Sequence, residues 1–476
     1  MKKLLFIALV VFFAIGNIMA QDITFSASCP TGQTINFKII DSERLYVEVA
    51  SDNDVTGVLE IPETVSFDGQ DFVVTKLGDN AFHPYNSSHH GPRVVTLPNT
   101  IKVIGVSAFE DCTNLLQTSM PSSIDSILSF AFANCDKLTS ITIPSSVTFL
   151  GEYVFGSCDR LQTVLYEATD CRTAWWPFLT SGLSTLILSD SVRRIPDFTF
   201  EDTEITGPLV LPESLTYLGQ NAFHNCDKIT SVHIPKDMDT IIESFSLCDN
   251  IDTVFYDAIH AFTPDYYTGA FASSGVKTIV FGDQVESLPF VIFSDCTNLD
   301  TLALPNSLKR IGDYAFYRCS SLTALTIPEH VEYIGWNAFY SCSGIQSIHC
   351  KPLTPPEIEP YTFNKIPTDI EVTIPCHSDY PHALYWDYFT NFVEDCNAVG
   401  ENEAEDLVHI YPNPTTGWIN IDLDDITDIE VYDITGQKIL QDNQTQCIDL
   451  SDQPNGVYLL RITTKERTIE KELIKQ

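Results

Sequence analysis

The 476-residue chain carries 64 Asp and Glu against 26 Lys and Arg, a formal charge of −38. That balance excludes a nucleic-acid or anionic-lipid footprint, because both need a basic face. Hydrophobic residues make up 44% of the chain, ample for a core, and the length allows two or three domains.

At the start, Lys2 and Lys3 precede an apolar run from Leu4 to Ile15, and Ala20 stands before Gln21. A basic start, a short apolar core and a small residue at the cut predict a secretory signal peptide over 1–20. Its removal leaves 24 basic against 64 acidic side chains, a balance of −40. No later stretch approaches 18 unbroken apolar residues, so no membrane-spanning helix is expected. Residues 21–77 alternate apolar and polar positions between Asp, Asn and Gly breaks, which predicts a few strands forming an N-terminal β cap.

A repeat follows. Phe82, Phe109, Phe132, Phe155, Phe178, Phe200, Phe223, Phe245, Phe271, Phe293, Phe316, Phe339 and Phe363 recur at steps of mostly 22 to 24 residues. A fixed period of about 23 is the mark of a solenoid whose turns bury their apolar faces against one another. About thirteen turns are expected over 78–395. In Ile141-Thr142-Ile143-Pro144 the two Ile share one strand face, and Pro144 ends the strand for want of an N–H. Gly105, Gly151, Gly219, Gly312 and Gly335 are read as allowing the bend back. The Phe should stack from turn to turn.

Cys112, Cys135, Cys158, Cys226, Cys248, Cys296, Cys319 and Cys342 hold one slot of the repeat, which Ser181, Thr203 and Ser274 fill elsewhere. A disulfide partner would not tolerate that exchange, so these are read as buried free thiols. They never form C-x-x-C pairs, so no metal is assigned to them. Cys376 and Cys396 flank the end of the array, where a disulfide would close the last segment. An aromatic-rich stretch there predicts a short capping helix.

Two stretches, 159–203 and 249–296, break the pattern alike, with enlarged aromatic loops and Ser-Gly in place of Cys. The residue two before the Pro slot should face outward. It is small or polar at most turns near the ends, but runs Leu165, Ile187, Val210, His233, Phe255 and Val280 in the middle. Trp175, Trp176, Tyr266 and Tyr267 sit in the enlarged loops of the same turns. An exposed apolar strip of this kind suits a protein partner. Alternatively, the loops fold over it as extra core. The candidate ligand-binding residues are therefore Trp175, Trp176, Ile187, Val210, His233, Phe255, Tyr266, Tyr267 and Val280. His83, His89 and His90 lie in an insertion read as a solvated loop rather than a metal site. No G-x-S-x-G, H-E-x-x-H or phosphate-binding loop occurs, so no catalytic, cofactor or metal residue is assigned and no enzyme is expected.

From 396 to 405 the chain is polar and acidic, a linker by composition. Residues 406–476 then hold short alternating segments between turn residues, which predict a small immunoglobulin-like β-sandwich of about seven strands.

The unit of Ile-Pro, Ile-Gly, Ala-Phe and Cys resembles the BspA-type leucine-rich repeat of bacterial surface proteins. The tail resembles the type A C-terminal sorting domain of the type IX, or Por, secretion system. The motifs there are Tyr411-Pro412-Asn413-Pro414 with Gly417, VYDITGQKI from Val431, and GVYLLRI from Gly456. These resemblances imply a mainly β protein, a curved leucine-rich-repeat solenoid with caps. They also imply export across both membranes, release or retention at the outer surface, and contact with the type IX machinery. The repeat family further implies adhesion to host matrix proteins, cell-surface proteins or glycans. A structural spacer of the envelope is the alternative, and a glycan-acting enzyme a more remote one.

Overall fold

Leu, Ile and Val at every second position of short segments make the strands. Two parallel ladders per turn result, because successive turns present the same pattern in register. The computed structural model describes residues 23–51, 54–84, 90–173, 175–264, 268–396, 409–411, 415, 417–423, 426–434, 436–442, 447–464 and 468–475. The expected signal peptide and the expected acidic linker lie outside these, except for Cys396 at the linker's edge. The chain divides into two units, 1–204 and 205–476.

The first unit opens with antiparallel strands Thr24–Ser28, Thr34–Asp41 and Tyr46–Val49, and a hairpin of Thr64–Phe67 with Gln70–Leu77. The expected cap is thus joined into the repeat. Gln70–Leu77 pairs in parallel with Val103–Ile104, which continues to Ser126–Ile127, Phe149–Leu150 and Arg172–Thr173 as a ladder of short strands. A second ladder runs Val58–Glu60, Val94–Thr96 and Gln117–Thr118. Further along, Ser140–Ile143, Thr163–Tyr166 and Thr185–Leu188 stack in parallel. Between the ladders the repeated Phe rings stack from Phe82 through Phe200, with centroids 5.0–5.3 Å apart. Every ring of this column is buried.

In the second unit, Gly207–Val210, Ile229–Ile234, Thr253–Tyr256 and Thr278–Phe281 form one parallel ladder. Ala324–Ile327, Ser347–Cys350, Glu371–Pro375 and Phe392–Asp395 form another. The Phe column runs from Phe223 to Phe363 and ends on Trp386 and Phe389, at 5.3 and 5.4 Å from Phe363. The expected capping helix is instead two three-residue 3-10 turns, Tyr380–His382 and Trp386–Tyr388. Tyr385 between them has φ +65°, which a right-handed helix cannot continue through. Cys376 and Cys396 are disulfide-bonded and close this segment.

The tail has, among the described residues, seven strands in two antiparallel sheets. One holds His409–Tyr411, Trp418–Asp422 and Cys447–Asp449; the other holds Ile426–Asp433, Lys438–Asp442, Gly456–Thr464 and Thr468–Lys475. Ile419, Ile421 and Ile448 from the first share a core with Ile429, Val431, Leu460, Ile462 and Leu473 from the second. This is the expected sandwich.

The glycine expectation changes. Gly105, Gly151, Gly312 and Gly335 are absent from the positive-φ positions; the bends fall on other residues. Glycine is needed for close approach: a Cβ on Gly151 would stand 2.2 Å from the Ser129 N of the preceding turn.

Candidate binding surfaces

Most turns reverse direction through a left-handed residue two before the stacked Phe, and in the first unit four consecutive turns place an aromatic there. Phe130, Tyr153, Trp176 and Phe198 have φ of +58, +48, +51 and +57°. Bulky side chains rarely occupy this left-handed region, where Asn, Asp or Gly costs less. Parallel stacking brings them together. Phe130 lies 5.7 Å from Tyr153, Tyr153 5.8 Å from Trp176, and Trp176 5.7 Å from Phe198. Trp175 stacks on Phe198 at 5.6 Å, with its plane inclined by 13°. The Trp176 indole N–H donates to the Glu201 carboxylate. Trp175 stays 53% exposed and the other four are half-buried. The result is a continuous aromatic edge on the surface. Its signal in the sequence was the register of Phe130, Tyr153, Trp176 and Phe198, each two residues before a repeated Phe. The strand-face position two before Pro carries no trace of it.

On that strand face, Thr142, Leu165 and Ile187 pair across neighbouring strands, and Ile187 is 49% exposed. It belongs to the long-strand ladder, whereas the two tryptophans follow the short strand Arg172–Thr173. In the second unit Val210, His233, Phe255 and Val280 pair in register. Val210 is 44% exposed and Val280 half-buried, but His233 and Phe255 are 2% and 4% exposed. The expected outward exposure of those two residues is therefore corrected: both faces of their strands are covered. A phenyl ring gains roughly 1.5–3 kcal/mol from such burial, and the imidazole gains a partner, with its Nε2 2.9 Å from the Asp257 carboxylate. Burial pushes the nearby Glu213 carboxyl up, Asp257 adding to the rise while His233 and Lys236 oppose it. Tyr266 and Tyr267 lie outside the described residues.

Of the tail motif, Tyr411 ends a strand opposite Asn420, and Pro412, Asn413 and Pro414 lie outside the described residues. Gly417 packs so closely on Ser451 that a Cβ would meet its hydroxyl, and Gly456 starts the strand Gly456–Thr464. At the histidine insertion, His83 Nδ1 lies 3.0 Å from the Glu110 carbonyl and His90 Nδ1 2.9 Å from the Thr113 hydroxyl, while His89 is outside the described residues. Among the described residues, Cys376, Glu394 and Cys396 are the one set of His, Cys, Asp or Glu side chains close enough to share an ion, and the two cysteines are spent on the disulfide.

Parallel ladders, a stacked Phe interior and a two-sheet tail define a leucine-rich-repeat β-solenoid protein with an appended sandwich. A model described as the BspA type leucine rich repeat region matches residues 73–172, 177–263 and 265–380, so the chain belongs to this repeat family. Residues 409–476 match the secretion system C-terminal sorting domain. Together these make it a secreted or cell-surface leucine-rich repeat protein, whose tail addresses it to the type IX secretion machinery. Solved structures with similarity include a leucine rich cell surface protein of Faecalibacterium prausnitzii, at 24% identity over 68% of this chain and 94% of that one, TM-score 0.37. A leucine-rich repeat protein of Bacteroides ovatus matches at 20% identity over 76% and 98%, TM-score 0.40. The pneumococcal vaccine antigen PcpA matches at 17% over 75% and 95%, TM-score 0.39. No curated protein matches in sequence.

Proposed function

We propose that this surface protein is an adhesin whose solenoid displays a recognition site for a host matrix protein, cell-surface protein or glycan. The observation that carries this reading is the aromatic edge at Trp175, Trp176 and Phe198. It leaves the Trp175 indole about half in water, beside Trp176 and Phe198, whose left-handed backbone would be cheaper with Asn. Large exposed aromatics supported by neighbours are the usual energetic centre of a recognition surface. Ile187, Val210 and Val280 remain candidate contacts on the strand faces, and Tyr266 and Tyr267 candidate contacts in the second enlarged loop. The domain limits belong to the same proposal: cap 21–77, solenoid 78–395, linker 396–405 and sorting unit 406–476.

A spacer is the second reading, and the burial of His233 and Phe255 favours it for the middle of the array. The two separate in one experiment. The mature protein is titrated against a panel of matrix proteins and glycans, beside Trp175→Ala and Trp176→Ala. The adhesin reading expects saturable binding that falls about 30-fold in the variants, the loss of a hot-spot aromatic, with unchanged thermal unfolding. A folded wild type that binds nothing on the panel supports the spacer.

A further inference from the structure

A second candidate site lies far along the chain from the aromatic edge. Where the last repeat meets the C-terminal cap there is a cavity of about 380 Å³, within the usual range for a small-ligand pocket. Tyr361, Tyr385 and Tyr388 wall it, with Glu359, Asn364 and Asp387 between them. Tyr361 is 60% exposed, and Tyr385 is exposed as well. Both tyrosines have φ +65°, a conformation that disfavours a large side chain, so two rings are held toward water at a conformational cost.

The polar chemistry narrows the ligand. Tyr388 donates its hydroxyl to the Ile366 carbonyl at 2.6 Å, and Thr362 donates to the carbonyls of Gly335 and Glu359. Those donors are spent. The remaining polar side chains are the carboxylates of Asp387 and Glu359, the latter also accepting from the Tyr333 hydroxyl at 3.4 Å, the Asn364 amide and two tyrosines, and no Lys, Arg or His lines the cavity. A polyol carries no charge, whereas a lysine or arginine side chain is cationic and all donor. Its charge is attracted by the carboxylates and by the faces of the rings. The chain's charge of −38 favours a basic partner too.

We propose that this cavity receives a lysine or arginine side chain from a basic protein partner, independently of the aromatic edge at Trp175. The test uses the mature protein and hexalysine, followed by calorimetry. Tyr361→Ala with Tyr385→Ala leaves the net charge unchanged and is expected to weaken binding at least 10-fold. Tyr361→Phe, which keeps the ring, retains it. Asp387→Asn weakens binding, while Asp190→Asn, an equal charge change in the first unit, leaves it unchanged. Trp175→Ala also leaves it unchanged, so failure of the adhesin reading and failure of this one are distinguishable. Equal affinity of wild type and the double tyrosine variant, at unchanged unfolding temperature, would reduce the binding to general attraction and overturn the proposal. Tyrosine-dependent binding of chitohexaose without that of hexalysine would overturn it in favour of a sugar.

Discussion

At the scale of single residues, the cysteine slot shows what the solenoid asks of a side chain. Cys112, Cys135, Cys158, Cys248, Cys296, Cys319 and Cys342 point their thiols at the carbonyl of the Phe one turn earlier, 3.1–3.2 Å away. Thr203 and Ser274 in the same slot donate instead to the Phe three residues before them. A small residue with one weak donor suffices, which is why the slot tolerates exchange. Burial pushes the Cys296 and Cys342 thiols up to about 12 from an ordinary 9.0. The unfolded chain loses these protons above pH 9 while the folded chain keeps them. Their contribution is therefore complete below pH 9 and lost as pH rises toward 12, at about 1.4 kcal/mol per pH unit for each thiol. Urea midpoints at pH 8 and pH 10.5 should fall more for wild type than for Cys296→Ala. An equal fall in both would show that the thiol does not drive the alkaline loss.

At the scale of elements, ends and turns depart most from expectation. The C-terminal cap is built from Trp386 and Phe389 closing the Phe column, with the Trp386 indole donating to the Pro356 carbonyl at 2.9 Å. Phe392–Asp395 adds a last parallel strand, tied by the disulfide from Cys376 to Cys396. Closing a segment of 20 residues restricts the unfolded chain, which corresponds to about 3 kcal/mol in the chain-entropy account. Cys376→Ser with Cys396→Ser should lower stability by roughly that amount, read as earlier urea unfolding of the cap tryptophan fluorescence. An unshifted midpoint would mean that the aromatic plug alone fixes the cap. The αL column makes the related point for turns. Its backbone conformation recurs in most turns, though not at Gly269, but its side chains are aromatic in only some of them, so they are not needed for the bend.

At the scale of the whole molecule, a repeat that stacks like on like also stacks like charges. The Asp136 carboxyl is raised by burial, then by Asp159 one turn on and Asp111 one turn back, with Arg160 opposing. Over a chain of charge −38 such repulsion opposes the compact state, and salt screens it. The unfolding temperature should therefore rise by several degrees between about 20 mM and about 500 mM NaCl, as the screening length shortens. A fall would show that cross-turn ion pairs such as Lys309 with Glu286, 2.9 Å apart, outweigh the repulsion.

The sequence by itself determined the elements whose cause is local and repeated. The Phe column, the buried thiols, the alternating strands ended by Pro, and the two-sheet tail all follow from side-chain period and turn chemistry. Only the tertiary structure decided which face of a strand meets water. Phe255 and Ile187 occupy the same repeat position, yet one is buried and the other exposed. The difference lies in what each side chain meets in the folded chain, which no period encodes. The same holds for Gly151, needed for the approach of a neighbouring backbone rather than for its own φ. Spacing fixes what stacks; what covers or exposes the stack depends on contacts between segments distant in the chain.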